Sequence, residues 1–131
     1  MAELNIPADV EQAIIDDLSD LVVGTKIPAD PKPPLFVRVV AAGGYPQTMV
    51  SDAFTAVIEV YAKKESEAQR SAATIMARLV SAATRGRMGG VPCHRVDVAG
   101  LPQNYPNPTV PGYYRYTMTL TPVLRRRTTT I

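Results

Sequence analysis

Apolar residues recur at helical spacing over residues 8–23, where Val10, Ile14, Leu18, Leu21 and Val22 are separated by acidic side chains. This spacing predicts an amphipathic helix. Pro7 suits its first turn, Asp9 and Glu11 favour the positive end of its dipole, and Gly24 is a predicted stop. A stiff connector with Pro28, Pro31, Pro33 and Pro34 follows. Leu35–Ala41 then reads as a strand, with Leu35, Val37 and Val39 on one face and Phe36, Arg38 and Val40 on the other. Gly43-Gly44 breaks the pattern, and Tyr45–Asp52 reads as a loop or bulged return.

The clearest alternation is Phe54–Tyr61, a second strand. Ser66–Thr84 predicts a second helix, opened by a Ser66/Gln69 capping box. Its inner stripe is Ala68, Ala72, Ile75, Met76, Leu79, Val80 and Ala83. Cys93–Ala99 and Tyr113–Leu124 predict two more strands. Between them, Pro102, Pro106, Pro108 and Pro111 are expected to exclude ladder pairing from Gly100 to Gly112. The fold class expected is α+β, a single four-stranded, mainly antiparallel sheet covered by two helices in the order α-β-β-α-β-β. One domain fills residues 1–131, with 125–131 expected as a flexible basic and threonine-rich tail.

Composition narrows this picture only in places. The 131 residues suffice for one core without metals or disulfides, and the net charge of +2 does not by itself argue for a nucleic-acid binder. The lone Cys93 excludes an internal disulfide and suits a reducing cytosol. No apolar run approaches the roughly 18 residues that span a membrane, and without a basic stretch followed by an apolar one near residue 1, no secretion signal is expected.

Catalytic chemistry finds little to work with. Neighbouring strand residues point to opposite faces, so Cys93 and His94 are not expected to act as nucleophile and base. One Cys and one His are too few for a zinc-type site. Asp16 and Asp20 share a helix face but read as a solvated surface, and neither glycine pair carries a phosphate-loop fingerprint. The expectation is a protein that is not an enzyme and has no cofactor. Two features exceed what a minimal domain needs. The first is the rigid proline loop Leu101–Pro111 with an aromatic tip, which reads equally as a docking loop or as an ordinary long hairpin connection. With the start of the last strand it gives Asn104, Tyr105, Pro106, Asn107, Tyr113 and Arg115 as the candidate interface. The second is the threonine-rich outer face of the last strand, suited to pairing with another chain. In addition, Arg85, Arg87, Arg125, Arg126 and Arg127 are candidates for lining a channel and touching DNA phosphates without reading bases. A solubilising tail is the plainer account of the last three.

Several blocks, in order, resemble the tail terminator proteins of long-tailed (siphovirus-type) bacteriophages, particularly those infecting actinobacteria. Pro34-Leu35-Phe36-Val37-Arg38-Val39 with Gly43-Gly44 is similar to the family's proline-led first strand and its break. Val50-Ser51-Asp52 leads into Thr55-Ala56-Val57-Ile58-Glu59-Val60-Tyr61-Ala62, which resembles the second strand. Val98-Ala99-Gly100-Leu101-Pro102, Tyr105-Pro106-Asn107-Pro108 and Arg115-Tyr116 resemble the late loop and last strand, with Leu101 where Gly-Gly-Pro is expected. The likeness spans about residues 8–124.

The resemblance implies a structural virion protein at the neck end of the tail, assembled in the host cytoplasm, without cofactor or catalysis. It would form a homo-oligomeric ring, a hexamer, that caps the tail tube and ends its polymerisation. Its partners would be itself, the major tail tube protein and the head-side connector or stopper. The alternatives are a head-side neck protein of the stopper or head-closure kind, and a small ligand-binding or enzymatic α+β domain.

Overall fold

The computed structural model describes residues 2–130. In chain order the elements are β1 (Glu3–Ile6), α1 (Val10–Asp17), β2 (Val23–Gly24), β3 (Leu35–Pro46), β4 (Ser51–Ala62) and α2 (Glu65–Val80). Then come α3 (Ala82–Arg85), β5 (Arg87–Met88), β6 (Val91–Asn104), β7 (Tyr114–Arg125) and β8 (Arg127–Thr130).

The α+β class holds, but the sheet is larger than expected. The four long strands lie in the order β3-β4-β7-β6, and the two-residue strands β2 and β5 extend them to six: β2-β3-β4-β7-β6-β5. All pairings are antiparallel except β2 with β3. A separate two-stranded ribbon joins β1 to β8. The added strands escape sequence reading because two residues carry no periodicity. β2, for instance, is marked by Val37 N–H donating to the Val22 carbonyl beside it (2.9 Å). The 125–131 stretch, expected as a tail, contains the end of β7, Arg126 and β8; Ile131 lies outside the described residues.

α1 is shorter than the 8–23 periodicity suggests. Asp9 caps it by accepting from Gln12 N–H (3.0 Å), and Leu18 N–H closes it on the Ile14 carbonyl. Arg78 on α2 reaches across to the Asp17 carbonyl (3.2 Å) and to Asp20, so the chain turns there while Leu18 stays fully buried. α2 begins at Glu65, one residue before the expected Ser66. Lys64 is its N-cap and makes no side-chain capping bond, so the capping box does not form. Ala68, Ala72, Ile75 and Leu79 form its buried stripe. Ser81 donates to the Arg78 carbonyl and parts α2 from the four-residue α3, which ends at Gly86 with φ of 79°.

Even-numbered β4 and β7 positions face the helices. Ala56, Ile58, Val60, Met118 and Leu120 pack with Val37 and Val39 of β3 and with Val10, Ala13, Ile14 and Leu18. Full burial of each larger aliphatic contributes about 1.5–3 kcal/mol, so this layer dominates stability. A smaller cluster lies on the opposite face, where Phe36 stacks on Tyr61 (centroids 4.7 Å apart) and Val110 seals them from the proline loop.

Both hairpin borders differ from expectation. β3 runs on to Pro46, because the Gly43-Gly44 break is a bulge within the ladder rather than its end. Gly44 has φ of 147°, and a Cβ there would sit 2.1 Å from the Ala53 carbonyl oxygen, so only glycine lets the strands approach. The expected Tyr45–Asp52 loop shrinks to the turn 47–50. On the other side, β6 pairs through Gly100, Gln103 and Asn104, and register shifts before and after Gly100 absorb Pro102 at the sheet edge. At the β3 edge the Glu11 carboxylate accepts from the Ala41 N–H (2.9 Å).

Candidate assembly surfaces

The odd positions of β4 and β7 bring chemistry to the face opposite the helices. Arg38, Glu59 and Thr117 stand in one row across β3, β4 and β7, with Phe36, Tyr61 and Arg115 in the next. Glu59 is 7% exposed, and its carboxylate faces Arg38 at 3.4 Å and Arg115 at 3.5 Å. Both ion pairs are longer than the 2.7–2.9 Å of a strong charge-assisted bond. The shortest contact to Glu59 is instead the Tyr61 hydroxyl, which donates at 2.7 Å and accepts from Asn107 Nδ2 at 3.0 Å. Burial, with a contribution from the Glu59 carboxylate, pushes the Tyr61 phenol above its ordinary range, which keeps it a donor. Thr117 Oγ1, across from Glu59, has no hydrogen-bond partner among the described residues.

This cluster anchors the proline loop. Arg115 Nε donates to the Tyr105 carbonyl (2.6 Å) and its guanidinium lies 4.7 Å from the Tyr105 ring centre. Asn107 Oδ1 accepts from the N–H and hydroxyl of Thr109, a turn that delivers Val110 to the Phe36–Tyr61 stack. The Tyr113 hydroxyl lies within bonding distance of the Lys32 and Pro33 carbonyls, and its ring meets Phe36 edge-on. Among the six candidate interface residues, Asn107, Tyr113 and Arg115 are therefore engaged within their own chain. Asn104, Tyr105 and Pro106 face solvent, with Asn104 also donating to Glu65.

The five candidate channel arginines do not form one row. Arg85 pairs with Asp17 (3.1 Å), whose carboxylate also accepts from Gly89 N–H. Arg87 donates to the Gly90 carbonyl in its own turn. Arg126 clasps Asp52 through Nε and Nη2, at 3.0 and 2.7 Å. Arg125 and Arg127 are exposed. Together with Arg126 they line a cleft of about 300 Å³ that is also lined by Asp9, the N-cap of α1, and by Asp16, so the arginines share it with acidic groups.

Sequence reasoning missed the most exposed apolar feature. Every residue from Ala41 to Val50 is exposed, and the β3–β4 arm carries Tyr45 and Met49, the latter 89% exposed. At its base is an apolar groove of about 410 Å³, lined by Pro7, Val10, Ala41, Gly44, Pro46 and Phe54 among others. The signal was present in Tyr45, Met49 and Val50, three apolar residues in a segment read as a loop.

Cys93 and His94 fall as the strand alternation requires. Cys93 is buried, His94 is exposed, and burial pushes the thiol up. Among the described residues no group of three or more His, Cys, Asp or Glu is placed to hold a metal, and no helix is long and apolar enough to cross a membrane.

No protein-family model matches the chain. No curated protein matches it in sequence. Among solved structures it is similar to a chain of the virion of a native gene transfer agent particle. The two are 20% identical, with 87% of this chain and 84% of that one covered, at a TM-score of 0.42.

Proposed function

We propose that this chain is a tail terminator, a structural subunit of a phage-like virion that assembles into a ring on the end of the tail tube. The observation that carries this reading is the convergence of the blocks that bear the resemblance. Phe36 and Arg38, Glu59 and Tyr61, Tyr105 and Asn107, and Arg115 come from four separated segments and meet in one cluster on the open sheet face. Their shared task is to hold the proline loop rigid against the sheet. A loop fixed in advance loses little entropy on docking, which is what a subunit that repeats one contact around a ring requires.

The exposed surfaces fit the same use. The Met49 arm and the solvent-facing Asn104–Pro106 segment offer contacts to neighbouring copies, the tube protein and a head-side connector. Arg125 and Arg127 offer sequence-independent contacts to passing DNA. A ring of six is the proposed stoichiometry. The test is electron microscopy of the purified protein alone and with tail tubes, together with deletion of its gene from the phage. Six-fold rings on tube ends and overlong tails after deletion are expected. A strict monomer that neither caps tubes nor alters tail length would overturn the reading.

A further inference from the structure

The β1–β8 ribbon stands apart from the body. Four residue pairs join it, Glu3 with Thr130 through Ile6 with Arg127, and six of its eight residues are exposed. None belongs to either core cluster, and among the described residues neither strand packs substantially against any element but the other. An isolated two-stranded ribbon is marginal in water, so this one opens without unfolding the sheet. Its two strands are not equally free. β8 leaves from a fixed point, since Arg126 is clasped by Asp52 and its N–H donates to the Val50 carbonyl at 2.7 Å. β1 leaves through the exposed Pro7, and the first buried residue after it is Ala8.

We propose that β1 is exchanged between neighbouring copies of this chain, the Glu3–Ile6 strand of one copy pairing with Arg127–Thr130 of the next. Exchange rebuilds the same four-pair ladder, so it gives up no bond and no core packing. Concentration then decides between closed and exchanged forms. Copies held side by side raise the effective concentration of a neighbour's β1 to the millimolar range. The long sheet edges are less available, because Glu11 occupies the Ala41 N–H on β3 and bulges with Pro102 distort β6. A contact between β1 of one copy and β8 of the next is head-to-tail, the kind that closes into rings. The inference rests on the self-assembly part of the ring reading.

The test uses the full chain with its buried Cys93 retained and two substitutions, at the exposed Leu4 (Leu4→Cys) and the half-buried Thr129 (Thr129→Cys), which are directly paired. Opposed residues of an antiparallel pair lie about 4.5–5.5 Å apart at Cα, within disulfide reach. One variant carries a size tag, and the two are mixed and mildly oxidised at assembling concentration. The expected result is a disulfide heterodimer that neither variant gives alone and whose yield rises with concentration. In the double variant, dilute oxidation is expected to give a fast-migrating closed monomer, and concentrated oxidation a ladder. A closed monomer at every concentration, with no heterodimer from the mixture, overturns exchange. Rings seen by microscopy in that same mixture would leave the ring reading standing. Heterodimer without rings would uphold exchange and overturn the ring.

Discussion

Replacing Tyr61 by Phe removes one oxygen and tests what fixes the open sheet face. Glu59 is 7% exposed and its two arginine contacts are long, so the 2.7 Å hydroxyl bond is its best-formed interaction. Hydrogen bonds to charged groups contribute about 1.5–3 kcal/mol, and the substitution also strips Asn107 of an acceptor. Asn107 is only half-buried and can turn to water, so the expected loss is about 2–3 kcal/mol. At ~2.1 cal/mol/K per residue, 131 residues unfold with an entropy of roughly 0.28 kcal/mol/K, which converts the loss to a Tm drop of about 7–11 °C. Circular dichroism melts of wild type and Tyr61→Phe measure it directly. Tyr113→Phe is the companion, since its hydroxyl meets two uncharged carbonyls; about 1 kcal/mol and ~4 °C are expected. A Tyr61→Phe melt within 1 °C of wild type would show that the arginines alone satisfy Glu59, and the reasoning would fail.

Gly44→Ala places a methyl against backbone and is expected to cost about 3 kcal/mol or more. Gly43→Ala, at φ of 83° with open space around it, should cost only about 1 kcal/mol of backbone strain; urea denaturation ranks the two. Cys93 and Tyr61 both have acid groups raised by folding, so their stabilisation is complete below their unfolded pKa values and is lost as pH rises through the folded ones. Urea midpoints should therefore fall from neutral pH towards strongly alkaline pH, and Cys93→Ala should flatten the earlier part of that fall. Met49→Glu alters a side chain that touches almost nothing in its own chain, so its melt should shift by no more than about 0.5 kcal/mol while ring formation is lost. Rings at wild-type yield would remove the arm from the assembly surface.

The four long strands and α2 were legible because alternation and the 3.6-residue stripe are properties of a local window. What the sequence hid depends on distant partners. α1 stops at Asp17 because Arg78, sixty-one positions away, takes its carbonyl. Pro102 sits in a strand because an edge position tolerates it once the register shifts around it. The candidate loop was legible as proline-rich, but not as clamped. That required knowing that Arg115 and Tyr61 share a face with Glu59, which follows from register and not from composition. The Ser66/Gln69 pattern had the right residues two positions too far along, since the chain enters α2 from an extended Lys64, which is the N-cap.

The Glu11 carboxylate on the Ala41 N–H has a meaning for the subunit before it meets its partners. An open strand edge is a template on which any other chain can pair, and identical copies in a crowded cell would stack on it without limit. One glutamate on a neighbouring helix occupies a donor in that template and adds a charge beside it. On the far edge, the distorted register of β6 gives a docking strand no even row of partners. The long edges are thus poorly suited to fibre growth, and the strands left open are only four residues each, enough for a specific join and too short to seed an aggregate.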